Sequence, residues 1–324
     1  MEQIDYRKFI YNGVAILPQG LSRIDSFAFA GCQELTTIEM PDSVTEIGPE
    51  AFRGCENLKK VVLSKQVKVL HENLFMGCTS LTSVVMSKHL EVIIGGAFTD
   101  CESLTRIDIP NSVGDLGSGT FYNCKRLTSI RIPDGVADLR GLFHGCSSLR
   151  EVILPKSVKS FSSGTFKGCS NLTSIKIPRG MESIPSDLFA GCSSLTSIRI
   201  PTGVKTIEVC AFEGCSSLTR LVIPTGVREM KNGAFSGCSG LESIELPTSL
   251  KEVGYMEFGD CRQLRELKLK HKNPLAAYDL VYHSGIPHLL SIDKITLVVP
   301  RDSVNKYRIA PLFSMFKEVV ADDA

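Results

Sequence analysis

A cysteine returns along this chain with a fixed step. It stands at 32, 55, 78, 101, 124, 146, 169, 192, 215, 238 and 261, and every interval is 23 residues except the 22 between Cys124 and Cys146. Three residues before each stands a phenylalanine, from Phe29 and Phe52 to Phe235 and Phe258, and three after each a leucine, from Leu35 to Leu264. Three residue types in register over eleven copies mark a stacked-repeat architecture, in which one unit cannot bury its apolar face alone. The repeat outranks length. A chain of 324 residues would suggest about two domains, but a solenoid grows by adding rungs.

Each unit has a strand and a corner. In Leu35-Thr36-Thr37-Ile38-Glu39-Met40-Pro41 the alternation sends Ile38 and Met40 one way and Thr37 and Glu39 the other. Proline then removes a ladder donor and ends the strand. It holds eight of the ten junctions from Pro41 to Pro247, with Ser64 and Ser87 in the other two. Three residues on, Val44, Val67, Leu90 and their equivalents return the chain to the interior. Pairs such as Asp134-Gly135 and Thr202-Gly203 make the corner between. The short rung loses its residue within Leu139-Arg140-Gly141-Leu142-Phe143, which predicts an irregularity away from the strand.

The phrases Leu195-Thr196-Ser197-Ile198-Arg199-Ile200-Pro201 and Ala211-Phe212-Glu213-Gly214-Cys215 resemble the leucine-rich repeat superfamily and, within it, the 23-residue BspA-like class. The likeness spans roughly residues 14 to 269. It implies a leucine-rich repeat solenoid, a right-handed β-rich superhelix with a parallel sheet on the concave face and an irregular C-terminal cap. The domain order expected is 1–31 as N-terminal cap and first partial repeat, 32–269 as tandem repeats, and 270–324 as a C-terminal capping module.

Both ends of a solenoid need covering, because an open rung exposes apolar edge and unpaired strand. Val14-Ala15-Ile16-Leu17-Pro18 reads as a worn copy of the strand, covered by Tyr6, Phe9, Ile10 and Tyr11. At the other end Ile295 to Pro300 reads as a last strand and Ser303 to Tyr307 as the start of a helix, with Pro311 to Val320 folding back over the end.

Composition excludes several functions. The 36 basic and 35 acidic residues leave a net charge of +1, without the basic excess of a nucleic-acid binder. No apolar run approaches the ~18 residues of a membrane-spanning helix. The first residues, Met1 to Tyr6, show no signal-peptide pattern. The cysteine column reads as an inert core ladder, with disulfides or metal as alternatives, and zinc would want Cys-x-x-Cys pairs that the chain lacks. Cys210 stands outside the column. Among the six histidines only His271, His283 and His288 are close in sequence. Asp279, His283, His288 and Asp293 make a remote case for a hydrolase in the cap. Neither a Gly-x-Ser-x-Gly elbow nor a phosphate loop occurs. No catalytic, cofactor or metal residue is assigned.

Specificity then rests on the exposed strand positions. One column runs from Thr37 and Lys60 through Arg106 and Arg220 to Glu266. The column two residues on runs from Glu39 through Arg131, Ile153, Lys176 and Arg199 to Lys268. Arg106, Arg131, Lys176, Arg199 and Arg220 are the candidate partner-binding residues, a basic stripe interrupted at Ile153, for an acidic protein patch or an anionic glycan. Both columns lack aromatic residues, the usual anchors of a tight site. The resemblance implies a non-catalytic protein-binding or adhesion module, at the cell surface or secreted, meeting a host matrix or cell-surface protein. An intracellular assembly scaffold in the cytoplasm is the alternative. The oligomeric state stays open.

Overall fold

The computed structural model describes residues 4–253, 258–274, 292–311 and 313–322. Its contacts divide the chain into two compact units, Met1–Cys169 and Ser170–Ala324.

In the first unit the predicted strands are parallel, and all but the one at residues 105–110 are present. Val14–Ile16, Thr37–Glu39, Lys60–Val62 and Ser83–Val85 pair in that order, each residue opposite the one 23 positions on. The inward residues Ile38 and Val61 are fully buried, and Glu39 and Lys60 face outward. Ser129–Arg131 pairs with Glu151–Ile153 at a step of 22, so the short rung keeps its ladder. Its lost residue falls at a turn, where Gly141 has φ +63°.

Each rung also carries a second, two-residue strand that the sequence pattern does not announce. Arg23–Ile24 pairs with Glu46–Ile47, and Val69–Leu70, Val92–Ile93 and Asp115–Leu116 form a run. Asp138–Leu139 pairs with Ser160–Phe161. In the second unit Ser183–Ile184, Thr206–Ile207, Glu229–Met230 and Glu252–Val253 do the same. Two residues are too few to show an alternation.

The core is a set of stacked columns. Phenylalanine rings lie face over face at centroid distances of 5.2 Å for Phe29–Phe52, 5.7 Å for Phe98–Phe121 and 5.4 Å for Phe189–Phe212. The cysteines beside them have a task beyond filling space. The Cys55 thiol donates to the carbonyl of Phe29 (2.9 Å), Cys101 to Phe75 (3.2 Å) and Cys238 to Phe212 (3.2 Å), always one rung back. Each bond ties neighbouring rungs and satisfies buried polar atoms. All twelve cysteines are free thiols.

Two turn positions per rung hold left-handed backbone, which explains the glycine of Phe-x-Gly-Cys. Gly31, Gly54 and Gly77 have φ of +67°, +70° and +75°, a region that costs residues with a Cβ roughly 1–2 kcal/mol. Asp100, Asn123 and Asp260 replace glycine there, the types that tolerate it best. Cys210 belongs to the other column, two residues before phenylalanine, at φ +54°.

The N-terminal cover is a hairpin. Ile10–Tyr11 runs antiparallel to Val14–Ile16, joined by Asn12 and Gly13 at φ +49° and +82°, the geometry of a type I′ turn. Tyr6 is buried against Phe29, with rings 5.4 Å apart and edge to face, and its hydroxyl accepts from the Asp25 amide at 3.0 Å.

The second unit carries the run Arg220–Val222, Ser243–Leu246, Glu266–Leu269, Thr296–Pro300 and Glu318–Asp322, all parallel. Here the fold departs from the expectation at the C-terminus. Thr296–Pro300 is a strand, but it is not the last one. Rather than folding over the end, the chain adds Glu318–Asp322 in the plane of the sheet. The helix α1, Val304–Ile309, makes the crossover. Tyr307 of α1 is fully buried and donates to the carbonyl of Asn273 at 2.9 Å. Arg308 donates to the Val319 carbonyl at 2.9 Å. On the sheet face Asp322 meets Lys268 at 2.6 Å and Lys270 at 3.1 Å, which fixes the closing strand by charge as well as by ladder.

Candidate functional site

The rungs present the predicted side chains outward. Arg106, Arg131, Lys176, Arg199 and Arg220 are all exposed. Arg106 and Arg131 lie in the first unit, and Lys176, Arg199 and Arg220 in the second. Aliphatic side chains stand among such residues. Ile153, opposite Arg131 in the ladder, is 45% exposed, and Val222, two residues after Arg220, is 55% exposed.

The ladder itself is interrupted where charge collects. In the first unit residues 105–110 form no strand between Ser83–Val85 and Ser129–Arg131. A shallow groove of 230 Å³ opens there, lined by Arg106, Asp108, Arg131, Glu151 and Ile153 among others. Its charges offset one another. Arg106 pairs with Asp108 at 3.8 Å, and Glu151 lies on the rung beside Arg131.

In the second unit residues 173–178 and 196–201 form no strand either. The groove between these rungs is larger, 380 Å³, lined by Ile175, Lys176, Ile177, Arg179, Arg199, Pro201 and Thr202. It contains three cations and no carboxylate. None of the three makes an ion pair or side-chain hydrogen bond among the described residues, in contrast to Lys205, which reaches Glu182 at 3.0 Å. The sequence columns locate Lys176 and Arg199. They miss Arg179, which sits at the corner after Pro178 rather than on the strand. Its signal is the Pro178-Arg179-Gly180 corner, where most other rungs carry Asp, Thr or Lys.

The remaining candidates for chemistry stay apart. Burial pushes the thiols of Cys55, Cys146 and Cys261 up to about 12 and holds those of Cys101 and Cys124 well above the ordinary thiol value, so they are poor nucleophiles. Cys210 is half-buried, and its sulfur lies within 4.8 Å of carboxylate oxygens of Asp187 and Glu213. Asp279, His283 and His288 lie outside the described residues. Asp293 is exposed in a short turn, Ile292–Lys294. Burial lowers the pKa of His271, which stands just beyond the strand Glu266–Leu269. No described helix is long and apolar enough to cross a membrane.

The profile of the BspA type leucine rich repeat region, in six copies, matches residues 14–127, 91–219 and 182–286. No curated protein matches the chain. Among solved structures, the chain is similar to a leucine-rich repeat protein of T. pallidum, 38% identical over 49% of this chain and 78% of that one, with a TM-score of 0.48. A leucine-rich repeat protein of Bacteroides ovatus is 26% identical over 79% and 84%, with a TM-score of 0.42. The pneumococcal vaccine antigen PcpA shares the fold at a TM-score of 0.59, with 19% identity over 96% of this chain and 80% of that one.

Proposed function

This chain belongs to the BspA-type leucine-rich repeat family, and from that premise we propose that it is a non-catalytic protein-binding module working at the cell surface or in secreted form. The observation that carries the reading is the split between the two sides of each strand. The inward side is a closed core of Ile, Leu, Phe and Cys. The outward side varies from rung to rung and bears, at Arg131, Lys176, Arg199 and Arg220, cations with no ion pair among the described residues. An ordered backbone of this kind presents its side chains from fixed positions, which lowers the backbone entropy lost on binding. Family membership supports the surface location and the adhesive role. The partner expected is a host matrix or cell-surface protein with an acidic patch.

Solid-phase binding to immobilised extracellular-matrix proteins tests the proposal. The wild-type chain is expected to bind at least one of them, saturably and more weakly as salt rises. Reversal of Lys176 and Arg199 to Glu should reduce that binding by about tenfold or more, since removed attraction and added repulsion act together. Binding to no protein, or binding insensitive to reversal in either unit's groove, would count against the strand face as the working surface.

A further inference from the structure

We infer that the groove of the second unit receives an acidic peptide segment of a partner protein, with carboxylates on both sides of an aliphatic residue. The inference deepens the protein-binding reading above and rests on it. Four features of the groove select this ligand. Among the described residues, Lys176, Arg179 and Arg199 bring three positive charges without ion-pair partners to its rim, and no carboxylate lines it. Ile175, Ile177 and Pro201 give it an apolar floor. Ile175 and Ile198, which occupy the inward strand position, are half-buried here, whereas Ile38, Val61 and Leu221 at the same position are closed off.

The fourth feature is the missing ladder. Residues 174–177 and 197–200 exchange no backbone hydrogen bonds with each other. No ladder therefore closes the groove at this point among the described residues. A sulfated sugar would use the cations and leave the aliphatic floor idle, and the groove has no aromatic ring on which a sugar stacks. The first unit's groove shows what selectivity requires. There Asp108 and Glu151 stand beside Arg106 and Arg131, so an acidic ligand meets like charge as well as opposite charge.

Fluorescence anisotropy with a fluorescein-labelled Gly-Glu-Leu-Glu-Gly peptide on the full chain tests this. Binding is expected to weaken with salt and to fall about tenfold in K176E/R199E, with K176Q/R199Q in between. K59E/R126E, an equal charge reversal at exposed positions outside the groove, should stay within about twofold. Replacing the central leucine of the peptide by serine should cost roughly fivefold through the lost apolar contact. Thermal melts matching wild type exclude misfolding as the cause. Unchanged peptide binding in K176E/R199E overturns the inference. So does binding of a sulfated oligosaccharide that depends on Lys176 and Arg199 while the peptide fails to bind, which would assign the groove to a glycan. Capture of a matrix protein by a chain that ignores the peptide defeats this inference alone and leaves the protein-binding reading intact.

Discussion

Replacing Phe98 with alanine should lower the unfolding free energy by about 3–5 kcal/mol, the range for deleting a buried aromatic ring. Phe98 is fully buried and lies between Phe75 at 5.4 Å and Phe121 at 5.7 Å. Its backbone also ties rungs together, with the carbonyl accepting the Cys124 thiol at 3.2 Å and the amide donating to the Thr120 carbonyl at 2.9 Å. A cavity at that point borders both neighbouring rungs. In a protein whose rungs contact mainly their neighbours, it should also divide unfolding into steps, which a urea titration shows as a reduced slope. Thr37→Ala on the outward face is the control, expected within about 0.5 kcal/mol of wild type. A loss at Phe98 no larger than that of the control would contradict the stacked-column description of the core.

The second large effect concerns the thiols. Of the twelve cysteines only Cys210 has appreciable exposure, so a thiol reagent at pH 8 should modify one site per native chain quickly. The other eleven should react only at the rate of unfolding, orders of magnitude slower. The same burial sets the response to alkali. Cys55, Cys146 and Cys261 titrate at about 12 in the fold against an ordinary 9.0. A thiol with a raised folded pKa contributes its full stability below 9.0 and loses it as pH climbs toward the folded value. Each such group therefore costs about 1.4 kcal/mol per pH unit in that window. Circular dichroism should show the chain stable up to about pH 9 and unfolding cooperatively before about pH 12. Several fast-reacting thiols at pH 8, or a fold intact beyond pH 12, would show that the cysteine column is open.

Much of this was legible because repetition multiplies weak signals. Leu35, Ile38, Val44, Phe29 and Cys32 are ordinary apolar residues singly, but eleven copies fix their period and hence the stacking. The hairpin at Asn12-Gly13 is readable from its turn chemistry. The two-residue strands such as Glu46–Ile47 are not, since they are too short for a period and are made by neighbouring rungs rather than by local preference. The closing strand Glu318–Asp322 was hidden for a related reason: its ladder partner, Thr296–Pro300, is 22 residues away across a helix.

For the candidate site, the outward columns place Arg131, Lys176 and Arg199 at the surface, because the in–out alternation of the repeat persists even where no strand forms. Ladder interruptions were invisible. Leu195 to Pro201 follows the same phrase as Leu35 to Pro41, yet only the latter contributes a strand. The difference lies in how rungs meet, not in the local residues. The pairing of Arg106 with Asp108, which removes that guanidinium from the free cations, likewise depends on side-chain geometry.

The proposed function puts this binding surface outside the cell, and protease shaving of intact source cells tests that most directly. Peptides from residues 14–269 are expected in the supernatant, with cytoplasmic markers retained in the cells. Recovery of those peptides only after lysis would contradict the surface reading and put an internal assembly scaffold in its place.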